Sequence, residues 1–105
     1  MSAPLTLTAP LTRWQGDRGI YHLLVLTGEA AEQIAMHARL HRLEFGQRRG
    51  FGSVKVAVRI GGTRWHSSVF PQQKQSEWIL LVSKKVMRGE DLSGGDLVAV
   101  ELELL

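Results

Sequence analysis

The sequence contains no cysteine, which excludes disulfide staples, thiol nucleophiles, thiolate zinc sites and iron–sulfur clusters together. It lacks long hydrophobic runs as well. The longest uninterrupted apolar stretches are Leu23 to Leu26 and Trp78 to Val82, whereas a bilayer span needs about 20 apolar residues. The start, Met1-Ser2-Ala3-Pro4-Leu5, lacks a basic segment followed by an apolar one, so neither a signal nor a transit peptide is expected. A soluble, cytoplasmic protein without membrane contact is the expectation. There is no linker, low-complexity tract or strong repeat, and acidic residues are the minority, 10 against 13 Lys and Arg.

What is present suits one compact core. A chain of 105 residues, 44% hydrophobic and 22% charged, has the length of a single domain over residues 1–105. A chain this size buries roughly two-thirds of its unfolded surface, enough for a core without staples. Its apolar content and low mean charge argue against disorder.

Alternation dominates the chain. Leu5, Leu7, Ala9 and Leu11 alternate with Thr6, Thr8, Pro10 and Thr12, which reads as a half-buried strand through Trp14. Pro10 cannot donate to a ladder, so this strand belongs at an edge or bulges there. Ile20 to Leu26 reads as a second strand. Thr27 to Leu43 is the one long helical candidate, capped by Thr27, with Glu29 and Glu32 in its first turns. Its stripe is divided, with Ile34 and Ala38 on one side and Met36, Leu40 and Leu43 on another, so a helix is expected near residues 28–40.

Val54, Val56, Val58 and Ile60 alternate with Lys55, Ala57 and Arg59, and Gly61-Gly62 precedes a returning run, Thr63 to Phe70. This reads as a hairpin with a type I′ turn. The turn sets the register: Ile60 faces Thr63, Val58 faces Trp65, Val56 faces Ser67 and Val54 faces Val69 on the core side. On the other side Arg59 meets Arg64, Ala57 meets His66 and Lys55 meets Ser68. Trp78 to Val82 reads as a strand. A short helix is expected near 83–88, capped by Ser83 and ended by a left-handed Gly89. Leu97 to Leu105 alternates again, with Val98, Val100, Leu102 and Leu104 inward. Short strands in a small chain must cover their edges, and closure into a barrel does so, with helices plugging an end or lying outside.

Three blocks together, Arg49-Gly50-Phe51-Gly52-Ser53-Val54-Lys55-Val56, Ile60-Gly61-Gly62-Thr63-Arg64-Trp65 and Ser67-Ser68-Val69-Phe70-Pro71, resemble the core signature of the domain of unknown function 1905 family. Trp78 to Val82, Lys84 to Arg88 and Gly95-Asp96-Leu97-Val98 are similar to its second half. Lys55 and Ser83 stand where the family commonly has proline. The resemblance implies a mainly β fold: a small closed six- to seven-stranded double-split β-barrel. It implies no reaction. Leu80 to Arg88, Leu92 and Gly95 to Val98 are also similar to the swapped-hairpin motif of antitoxin and transition-state DNA-binding regulators, a likeness of fold that does not carry DNA binding with it.

Arg48-Arg49-Gly50-Phe51-Gly52-Ser53 could cradle an anion through converging backbone N–H groups and guanidinium donors. It is not a P-loop, which needs a lysine and Ser/Thr after its second glycine. The bland alternative is a bend into the following strand, with solvated arginines. Trp65 sits beside the small Ser67, where space for a ligand could remain, with Phe70 placed at the same mouth. Trp14, Trp78, Phe51 and Tyr21 are the other aromatic candidates for a cavity wall, against the plainer reading as core.

Lys55, Arg59 and Arg64 form a basic stripe, and Arg59 opposite Arg64 is mildly destabilising unless something offsets it. A nucleic-acid backbone could do so, aided by Lys84, Lys85 and Arg88. Glu101 and Glu103 of the last strand could equally do so from within. His37-x-x-x-His41 has helix-compatible metal spacing, with His22 and His66 as further ligands, but Ala38 breaks the zinc-protease pattern and surface histidines are the plainer reading. Ser53, Ser67 and Ser68 lack a Gly-x-Ser-x-Gly elbow, and alternation separates Ser67 from His66.

The expectation is therefore a non-enzymatic binding module with no metal and no cofactor, monomeric or weakly dimeric. It would hold a small molecule or an acidic partner at the Arg48–Ser53 loop and the barrel mouth, with nucleic acid as the alternative. Residues 33–76 hold eight basic residues and one acid, Glu44, a net +7, while 1–32 carry −1 and 77–105 carry −3. Whether the acidic tail lies on the basic stripe decides how much of that charge is open.

Overall fold

The computed structural model describes residues 4–45, 52–72, 74 and 76–105. The elements in chain order are β1 (Leu5–Pro10), β2 (Thr12–Gly16), β3 (Gly19–Leu26), α1 (Gly28–Phe45), β4 (Val54–Ile60), β5 (Thr63–Gln72), β6 (Glu77–Val82), α2 (Lys84–Gly89) and β7 (Leu97–Leu104). The seven strands form one antiparallel sheet in the order β1-β7-β4-β5-β6-β3-β2.

The sheet curls into a half-barrel, and the expected closed barrel is not formed. Its two edge strands, β1 and β2, are consecutive in sequence, and the single residue between them, Leu11, is too short a link for a hairpin turn that would pair them. The run expected as one strand through Trp14 breaks at Leu11. Pro10 has no N–H, and it ends β1 opposite Leu97 of β7. Leu11 then leaves the ladder. Its N–H donates to the Asp96 carbonyl (2.8 Å), and its carbonyl accepts from the Gly95 N–H (2.7 Å). The side chain of Leu11 stays in the core at 1% exposure. Beyond it the chain joins the other edge, pairing Thr12 with Leu23.

The core lies inside the curl. Val54, Val56, Val58 and Ile60 of β4, Val98, Val100 and Leu102 of β7, and Leu24, Leu26, Trp78, Leu80 and Val82 of β3 and β6 are all buried. Each such side chain contributes about 1.5–3 kcal/mol relative to exposure. Both helices pack on the core: α1 meets β1 and β6, and α2 adds Val86. Gly28 has φ +63°, which lets the chain turn from β3 into α1. Helix α1 contributes Ala30, Ala31 and Ile34 to the core and turns Met36, Leu40 and Leu43 to solvent, the division expected from the sequence. It runs to Phe45, beyond the expected end near 40, and the sequence holds no glycine or proline between Gly28 and Gly46 that would stop it sooner.

Helix α2 starts as expected: the Ser83 Oγ accepts from the Val86 N–H at 3.2 Å. Its end differs. Gly89 is helical, and Asp91 takes the left-handed position at φ +54°. Val86 inserts into the core from this end. The β4–β5 turn also differs in type. Gly61 has φ +58°, whereas Gly62 is not among the residues of positive φ. That is the pattern of a type II′ turn rather than I′, which needs positive φ at both positions. The seven side-chain pairs of this hairpin are those expected.

Candidate functional site

Strand β6 pairs with β5 from Gln72 to Val69 and with β3 from Leu26 to His22. At Val82 it leaves the sheet to become α2, because Ser83 caps a helix there instead of extending the strand. Both neighbours continue past that point. On β5, Thr63 to Ser68 pair with β4; on β3, Gly19 to Tyr21 pair with β2. The sheet therefore splits above Val82, and a cleft of about 400 Å³ occupies the split.

The lining joins both faces. Trp65, Ser67, His22 and Val82 come from the inward side, Tyr21 and Leu81 from the outward side, and Ser83 and Lys84 from the start of α2. Trp65 and Ser67 are half-buried. Gly94 lies against the His22 ring, with space for a Cβ only 3.4 Å from Nε2. The cleft thus offers an aromatic wall, a hydroxyl, an imidazole and an ammonium group. That volume lies within the roughly 300–1,000 Å³ typical of small-ligand sites. An aromatic wall facing a cation and a hydroxyl suits a ligand with an apolar or planar body and an anionic end.

The expected site is only partly brought together. Trp65 and Ser67 share the cleft. Phe70 does not, because three residues from Ser67 alternation turns it to the opposite face, where it is 37% exposed. Arg48, Arg49, Gly50 and Phe51 lie outside the described residues. Gly52, near Pro71, and Ser53 stand at the other end of the β4–β5 hairpin from Trp65. The remaining aromatics divide. Trp78 is fully buried core, and Trp14 stacks on Tyr21 at 5.8 Å on the outer edge of the sheet. His22 and Lys84 were missed as partners of Trp65, since they are distant in sequence and meet only because β6 ends early.

The basic residues do not form one face. Lys55, Arg59 and Arg64 point away from the core on β4 and β5, whereas Lys84, Lys85 and Arg88 belong to α2, on the core side. The acidic tail does reach the stripe. Glu101 stands opposite Arg59 across β4 and β7, and the Arg59 Nε donates to the Glu101 Oε2 at 2.5 Å. Glu103 stands opposite Ala57, whose other neighbour is His66. A shallow depression of about 570 Å³, lined by Thr6, Thr8, Arg59 and Glu101 among others, surrounds that ion pair.

His37 and His41 are half-buried rather than on the open surface, their rings 6.4 Å apart. The His37 Nε2 lies 3.1 Å from the Leu105 carbonyl oxygen. Among the described residues no three His, Cys, Asp or Glu side chains gather as a metal site would require. No helix there is long and apolar enough to cross a membrane.

Fold and cleft together define a small, mainly β domain built as a curled antiparallel half-barrel with a split in its sheet. The chain belongs to the family described as domain of unknown function (DUF1905), whose model matches residues 8–102. That match spans the three core-signature blocks and the second-half segments of the resemblance seen in the sequence. No curated protein matches the chain.

Proposed function

We propose that this domain is a non-enzymatic binding module, and that the split between β3 and β5 is where it takes a small ligand with an anionic end. The observation that carries the reading is the composition of the cleft: Trp65 and Ser67 face His22 and Lys84 across about 400 Å³. Trp65 supplies a wall for the apolar part, Lys84 supplies charge for the anion, and the His22 ring supplies a hydrogen-bonding nitrogen. Nucleic-acid binding is the weaker reading, because its six basic residues are divided between two sides of the sheet and Arg59 already has a carboxylate partner.

Thermal melts against a panel of small carboxylates, phosphates and nucleotides test this. A ligand present at a hundred times its Kd stabilises by about 2.7 kcal/mol, so a rise of roughly 10 °C is expected for a member of the panel. The rise should vanish in Trp65→Ala and shrink in Lys84→Gln. A panel without any rise, or a rise indifferent to both substitutions, removes the cleft as the site.

A further inference from the structure

The edges of the split point to the class of ligand. A two-residue turn at Gly61-Gly62 joins β4 to β5, so Ile60–Thr63, Val58–Trp65 and Val56–Ser67 are the pairs that exchange ladder hydrogen bonds. The backbone N–H and C=O groups of Arg64 and His66 then face away from β4, into the split. The same parity applies to β2 and β3, joined through Asp17 and Arg18. Gly16–Gly19 and Trp14–Tyr21 bond to each other, so the backbone of Ile20 faces the split from the other side. Strand β6 would have met these groups had it continued. Among the described residues none has a backbone partner there.

We infer that the split receives an extended peptide segment ending in a free carboxylate, which lies on the line that β6 vacates. This rests on the cleft reading above and names its ligand class. At the level of Val82 the space between β3 and β5 is two inter-strand spacings, roughly 9.6 Å, the width one strand fills. Main-chain hydrogen bonds to Ile20, Arg64 and His66 would hold such a segment, as in other cases of strand addition to a sheet edge. Its inward side chains meet Trp65 and Ser67. The Lys84 ammonium and the His22 ring stand at the closed end of the split, where they border Val82 and Ser83. The carboxylate belongs at that end, so the peptide enters from the open end and runs parallel to β3 and β5.

The test uses amide chemical shifts of the full chain, titrated separately with acetyl-Thr-Val-Thr-Val as the free acid, the same peptide as its C-terminal amide, sodium acetate and inorganic phosphate. With the free acid, the amides of Ile20, Arg64 and His66 shift together. The C-terminal amide binds about three- to fivefold more weakly, the discrimination expected of a solvent-accessible charge pair. Lys84→Gln erases most of the difference between the two peptides. If acetate or phosphate moves the His22 and Lys84 signals while neither peptide moves Arg64 or His66, the peptide inference falls and the cleft reading stands. Equal binding of both peptides overturns the role of the carboxylate. If no probe moves any signal around the split, both readings fall.

Discussion

Replacing Glu101 with glutamine should expose how much of the basic stripe is held in check from within. Glu101 sits on the strand next to Arg59, and Arg64 flanks Arg59 on the other side, so the substitution leaves two arginines side by side without the acid. At 4 Å and an effective dielectric constant of 20, a bare pair is worth about 4 kcal/mol. The side chains here are 46% and 29% exposed, and water screens them. Exposed pairs measure about 0.2–1 kcal/mol. The short contact and the fixed cross-strand placement favour the upper half of that range, so the Arg59–Glu101 coupling should be about 0.5–1 kcal/mol. The uncovered Arg59–Arg64 repulsion adds a few tenths. Glu101→Gln should therefore destabilise by about 1 kcal/mol, lowering Tm by roughly 4 °C. The assay is a double-mutant cycle by urea unfolding, with Arg59→Gln as the second arm, run in 20 mM and 500 mM salt. Coupling should fall by half or more at the higher salt, where the Debye length shrinks to a few ångströms. In the Glu101→Gln background, Arg64→Gln should be neutral or stabilising. A coupling below about 0.2 kcal/mol at low salt, or one insensitive to salt, refutes the reasoning.

Two further substitutions probe the frame around the cleft. At Gly61 the backbone has φ +58°, and a Cβ would run into the Glu90 carboxylate, which accepts from the Thr63 Oγ1 at 2.6 Å. Gly61→Ala should cost about 2 kcal/mol or more by urea midpoint, of which 1–2 is backbone strain. Adding Glu90→Ala should relieve only the clash, and full recovery would contradict the strain. Trp78 is fully buried, and its Nε1 has no partner among the described residues. Trp78→Phe should remove that orphaned donor along with part of the ring, for a net loss below about 1.5 kcal/mol. Trp78→Ala should lose about 3–5 kcal/mol, and circular-dichroism melts that find the two equal would overturn the account.

Local register was legible because the chemistry that sets it is local. Gly61-Gly62 leaves two residues for the turn, and seven side-chain pairs follow by counting. The inward set of β7 followed from alternation alone. Long-range order was less legible. Leu5 to Trp14 reads as one strand, since only the Asp96 carbonyl and the Gly95 N–H, 84 and more residues away, make the break at Leu11 favourable. Closure was overestimated for the same reason. At the site, Trp65 beside Ser67 was readable as a place where space could remain. His22 and Lys84 were not, because they reach it through the early exit of β6, which the Ser83 cap determines and the Trp78–Val82 run does not reveal. Phe70 was misplaced by treating nearness in sequence as nearness in space.

The bend at Leu11 also constrains the order in which the molecule is completed. One continuous stretch of N-terminal chain forms both borders of the sheet, and its first half pairs only with β7, matching Leu5 to Leu102 across 97 positions. During synthesis β2 can settle on β3 early, while β1 has no strand to join until nearly the whole polypeptide has emerged. Contacts so far apart carry a large loop-closure entropy, which slows folding. The N-terminal strand is thus made first and docked last, and through that interval the inward edge of β7's future place on β4 stays uncovered. A pulse-labelling hydrogen-exchange experiment should find the Leu5–Ala9 amides among the last to gain protection.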